Sequence, residues 1–130
     1  MAIEVVNSEA HAKAYERSHF SQAVKSNGLM FCSGVIGTGA DGKVPADIQE
    51  EFRNAFNGVA QVLAEEGLDF SDVVEATTYH VDIADTLMPF FAVRDEFLTP
   101  PWSAWTAIGC TGLAVPGAHV EIRVTAQLKS

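Results

Sequence analysis

DIQEEFRNAFNGVAQVLAEEGLDFSDVVEATTYHV, residues 47–81, is the stretch whose reading decides the fold. Asp47 stands three residues ahead of Glu50 in a variant of the capping box, and behind it Ile48, Phe52, Ala55, Phe56, Val59 and Leu63 recur at helical spacing. The pattern predicts an amphipathic helix with one apolar face, stopped at Gly67, a residue that takes the left-handed conformation without a Cβ penalty. Val73 to Val81 is rich in Val, Thr and Tyr and predicts a strand directly after that helix.

On the N-terminal side, Phe20 to Lys25 and Leu29 to Ile36 read as extended, and Ser26-Asn27-Gly28 between them suits a tight hairpin turn. The first 18 residues are polar and weakly patterned, so ordered structure is expected from about His19 onward. On the C-terminal side, Leu87, Phe90, Phe91, Phe97 and Leu98 outline a second helix, with Pro89 expected in its first turn and Pro100-Pro101 beyond its end. Ser103 to Leu113 reads as extended, and Val120, Ile122, Val124, Ala126 and Leu128 alternate with polar residues in the clearest strand of the chain. The order is two strands, helix, strand, helix, two strands. It predicts an α+β domain spanning 1–130, a mixed sheet with both helices on one face, and an opposite face that is polar or covered by another subunit.

A formal net charge of -9, with no two basic residues adjacent, disfavours nucleic acid as a partner, because a polyanion binder needs clustered Lys and Arg. No apolar run approaches the roughly 20 residues of a membrane span, and Met1 to Ala10 lacks the pattern of a signal peptide. No membrane partner and a cytoplasmic location are therefore expected. Cys32 and Cys110 lie in apolar, strand-like runs and suit reduced, buried thiols.

Gly37-Thr38-Gly39-Ala40-Asp41-Gly42 matches the spacing of a dinucleotide loop, but Val44-Pro45-Ala46 separates it from the helix. Lys43 is followed by Val44, which removes the Walker alternative and leaves a glycine loop joining strand to helix. His11, His19, His80 and His119 share no ligand spacing with each other or with the cysteines, so neither a metal nor a cofactor is expected. No serine elbow or recognisable cysteine nucleophile is present.

Four strings remain: Phe20-Ser21-Gln22-Ala23-Val24, Phe31-Cys32-Ser33-Gly34-Val35-Ile36, the run from Pro101 to Gly109, and Pro116-Gly117-Ala118-His119-Val120-Glu121-Ile122. In this order and around these helices they resemble the reactive intermediate deaminase (RidA, or YjgF-like) family, also labelled endoribonuclease L-PSP. The resemblance implies a chorismate-mutase-like fold with a six-stranded mixed sheet. It also implies a homotrimer with a central barrel and small-molecule clefts between subunits. In the family's deaminases, water adds to the C=N carbon of a 2-imino acid and ammonia leaves.

Aligned on the family pattern, Trp105 stands where an arginine grips the substrate carboxylate, and Ala107 where a cysteine often sits. An indole has one N–H and an apolar face, so it does not reproduce the paired hydrogen bonds of a guanidinium. The sequence thus resembles the arginine-lacking, YjgH-like branch. The resemblance implies an imine or enamine substrate that lacks a free carboxylate or presents more apolar surface, or else a ligand bound without turnover. It assigns Glu121 to the attacking water and Phe20, Ser33, Gly34, Trp105, Thr106 and Ala107 to ligand binding. Four of these also have a plainer reading: Phe20 and Trp105 as interface core, Gly34 as a strand bulge, Glu121 as a solvated residue on an alternating strand.

Overall fold

The structure, a computed structural model, describes residues 3–129. Its central element is β7 (Val120–Gln127), whose Val120, Ile122, Val124 and Ala126 are all buried. Every second residue of this strand meets the helices, as period-two alternation requires. β3 (Leu29–Cys32) and β4 (Val35–Ile36) pair antiparallel with one edge of β7, and β5 (Val73–Val81) pairs antiparallel with the other. β6 (Ala104–Cys110) runs parallel to β5, and β2 (Ala23–Ser26) and β1 (Glu4–Val6) extend the sheet beyond β3. The result is a mixed sheet of order β1-β2-β3-β7-β5-β6, with β4 also on β7 and with β1 and β6 as edges.

α2 (Ile48–Ala64) and α3 (Ile83–Phe97) pack on one face of this sheet. Asp47 caps α2 by accepting from the Gln49 N–H at 3.0 Å, and Gly67 closes its C-terminal turn at φ 69°. Phe52, Phe56, Val59 and Leu63 of α2 meet Phe90 and Val93 of α3 in the core. The hairpin turn is as expected, with Asn27 and Gly28 both at positive φ.

Four expectations need correction. Among the described residues the sheet has seven strands and there are three α-helices, not six and two, because α1 (Ala12–Ser18) and β1 precede His19 and the run from 29 to 36 forms two strands. That N-terminal order depends on partners far along the chain: the Gln22 N–H donates to Asn7 Oδ1 at 2.9 Å and the Ser8 N–H to Gln22 Oε1 at 2.7 Å. The extended run Leu29 to Ile36 breaks at Ser33-Gly34, where Ser33 turns back to donate its N–H to the Gln22 carbonyl and its hydroxyl to the Ser21 carbonyl. α3 begins at Ile83, so Pro89 lies inside it; the carbonyl left without a partner is that of exposed Asp85, where water serves. Cys110 is only half-buried, whereas Cys32 is fully buried, and both are free.

The glycine loop closes on itself: the Gly39 N–H donates to the Lys43 carbonyl at 2.8 Å and the Lys43 N–H to Asp41 Oδ1 at 2.9 Å. Gly37 lies so close to the backbone of α2 that a Cβ there would overlap the Glu51 carbonyl. Its glycine is a packing requirement of strand against helix.

Candidate active site

Odd-numbered residues of β7 point away from the helices. Glu121 lies level with Ile36 on β4 and Tyr79 on β5, and Arg123 with Thr77, on the sheet face that no helix covers. Gly34 sits against Glu121, and a Cβ at that position would collide with the carboxylate arm. Ser33, next to Gly34 in the chain, donates its hydroxyl to the Ser21 carbonyl at 2.7 Å. Phe20 is 45% exposed and packs edge-on against His11 at 4.9 Å. Because the Ser33 N–H is taken by Gln22, Gly34 is the remaining backbone donor of the pair.

Trp105 belongs to the opposite face. It pairs in register with Ala76 of β5, and its Nε1–H donates to Thr78 Oγ1 at 2.9 Å. Its ring packs edge-on against Phe91 at 5.2 Å, and the Arg94 guanidinium lies 5.2 Å from the Trp105 ring centre and 4.5 Å from that of Phe91. Trp105 and Arg94 wall a cleft of about 740 Å³ between α3 and the sheet, shared with Phe97, Trp102 and Thr78. The indole N–H is already satisfied, so Trp105 offers a ligand its ring. Ala107 lies on the same face two residues on, and exposed Thr106 faces the other way with Glu121.

Thr78 Oγ1 also lies 2.8 Å from Nε2 of His80, a fully buried ring whose Nδ1 has no partner. Burial holds the His80 pKa below its ordinary value, so the imidazole is kept neutral. Burial likewise pushes the Cys32 thiol up to about 11, which removes it as a nucleophile near neutrality. Among the described residues no group of three or more His, Cys, Asp or Glu side chains could hold a metal ion, and no helix is long and apolar enough to cross a membrane.

One polar cluster escaped the sequence reading. Glu51 of α2 is fully buried and accepts from the His119 N–H at 2.6 Å and the Val120 N–H at 3.2 Å, with His119 Nδ1 at 2.7 Å. It fastens the helix to the first residues of β7, immediately before Glu121. A signal was present: position 51 lies three residues after Ile48 and four before Ala55, inside the apolar stripe, where a carboxylate requires a partner.

A mixed sheet with helices on one face, a bare second face and a cleft beside its parallel edge strand defines a YjgF-like fold. A solved structure described as protein YjgH superposes with a TM-score of 0.88 at 32% identity, covering 100% of this chain and 99% of that one. The family model described as endoribonuclease L-PSP matches residues 11–128, and the chain belongs to that family, also called RidA/YjgF. It is 36% identical over 115 residues to the RutC family protein YjgH of Escherichia coli, covering 88% of this chain and 86% of the relative. The 2-iminobutanoate/2-iminopropanoate deaminase of Capra hircus is 33% identical over 111 residues, covering 82% and 78%.

Proposed function

We propose that this chain forms a homotrimer that hydrolyses the C=N bond of a small imine or enamine in clefts between subunits, releasing ammonia. The observation that carries it is the opposition of Trp105 and Glu121 on two faces of one sheet. A ligand on the Trp105 ring reaches a carboxylate of the Glu121 type only where the β6 edge of one subunit meets the Gly34 region of the next. The bare face also carries Val5, Phe31 and Ile108, 48%, 39% and 42% exposed, apolar surface of the kind that a neighbouring copy covers. In the reaction, Glu121 takes a proton from the attacking water, the oxygen bonds to the imine carbon, and the nitrogen, once protonated, leaves as ammonia with formation of a carbonyl. Gly34 donates its N–H nearby, and Phe20, Ser33, Thr106 and Ala107 line the cleft. Relatives named as deaminases favour this chemistry. The net charge of -9 argues against the ribonuclease that the family label suggests.

A second reading, a trimer that binds a metabolite without turnover, is favoured by the Trp105 cleft itself, which a ligand can fill from the helix side without approaching Glu121. Ammonia release from imines generated in situ by an amino-acid oxidase tests the two readings. Under the enzyme reading Glu121→Gln lowers turnover and leaves affinity intact, whereas Trp105→Ala weakens binding by about 1–3 kcal/mol. Sedimentation as a stable monomer at micromolar concentration would overturn the shared cleft, and the absence of ammonia from every imine would leave the binding reading.

A further inference from the structure

We infer that the Trp105 cleft selects an anionic ligand with a flat apolar body, and that Arg94 of α3 is the group that reads the charge. This rests on the cleft being the small-molecule site and not on turnover. The Arg94 guanidinium carbon lies 4.5 Å from the Phe91 ring centre and 5.2 Å from that of Trp105, near enough to both rings for cation–π attraction to hold it at the cleft wall. Its Nε and Nη2 both donate to one oxygen, Asp95 Oδ1, at 3.1 Å, and the remaining N–H groups are open to a second acceptor at the cleft wall. Asp95, which also lines the cleft, is 62% exposed on its side chain, so water weakens its hold on the guanidinium and it yields to a better-placed anion.

The other acid of the cleft, Asp69, is already engaged by the N–H and hydroxyl of Ser71. A cationic ligand would be repelled by the guanidinium at the cleft wall. The apolar half of the ligand has its own surface. Trp102 stands at the cleft 65% exposed, with Phe97 and the Trp105 ring deeper in, so a flat ring covers apolar area that otherwise faces water.

Three probes of one shape and different charge test this by titration calorimetry on the intact protein: indole-3-acetate, indole-3-acetamide and tryptamine. Indole-3-acetate is expected to bind about tenfold tighter than the amide, the scale of a charge-assisted hydrogen bond, with tryptamine weakest. Arg94→Gln should make the acid and amide equal. Asp95→Asn, which releases the guanidinium, should tighten the acid alone, and this gain-of-affinity arm stands even if Arg94→Gln folds poorly. Equal binding of acid and amide to the unaltered protein, a preference that survives Arg94→Gln, tightest binding of tryptamine, or no binding of any indole would each overturn the inference. Failure of the imine panel with this ranking intact would remove the enzyme reading alone.

Discussion

Glu51→Ala should be the most damaging single truncation of a polar side chain in this protein. The carboxylate, itself fully buried, accepts two backbone N–H groups and one imidazole N–H, and Val120, one of the donors, is also fully buried. Removing it orphans both N–H groups, at about 1–3 kcal/mol each, and leaves a void worth about 1 kcal/mol more. The expected loss is about 3–7 kcal/mol, a large part of the roughly 5–15 kcal/mol that holds such a domain together. Glu51→Gln keeps the shape and one acceptor oxygen, and should lose about 1–2 kcal/mol. His119→Ala removes one partner from a carboxylate that keeps the other two, and should lose about 1 kcal/mol. Urea unfolding reads all three. At an m-value of about 1.5 kcal/mol/M, Glu51→Ala lowers the midpoint by about 2 M or more with the slope unchanged. A Glu51→Ala midpoint within about 0.5 M of the parent would refute the view that this carboxylate fastens α2 to β7.

Acid should destabilise the fold through His80, whose folded pKa burial lowers from the ordinary 6.5. The unfolded chain takes up that proton first, so the stability is fully present above pH 6.5 and falls as pH drops below it; urea midpoints at pH 7.5 and 5 should show the loss, and His80→Gln should flatten it. Iodoacetamide at pH 7.5 should label half-buried Cys110 and spare Cys32, whose thiol is pushed up to about 11; mass spectrometry showing equal labelling would contradict the burial of Cys32. Two alanine substitutions should separate packing from chemistry. Gly37→Ala drives a Cβ into the Glu51 carbonyl and should lower the melting temperature by about 10 °C or more, whereas Gly34→Ala displaces the Glu121 arm and should cut turnover or ligand affinity with a much smaller thermal shift.

Local rules made much of this fold legible. The 3.6-residue recurrence behind Asp47, the Asn27-Gly28 turn and the alternation from Val120 to Ala126 each state their conformation within a few residues, because side-chain period and permitted φ are properties of the local chain. The conjunction of short strings likewise identified the family, which the match over residues 11–128 bears out. N-terminal order escaped because β1 is three residues long and is held by a strand some 20 positions away. The start of α3 is hidden from sequence because a proline predicts a first turn, whereas Pro89 is tolerated inside the helix where residue Asp85, four positions back, is exposed.

The site was legible as a set of residues but not as an arrangement. Alternation puts Trp105 and Glu121 on faces, yet which faces depends on the parallel register of β6 on β5 and the antiparallel register of β5 on β7. Arg94 comes to lie over Trp105 only because α3 crosses that edge of the sheet. Glu51 meets His119 across 68 residues. Amino-acid sequence determined the main helices and strands, the hairpin turn and the family, since those follow from short-range sterics and hydrophobic period. Tertiary structure alone decided which charges became neighbours, since a contact between distant residues depends on how whole elements pack and not on any residue's own preference.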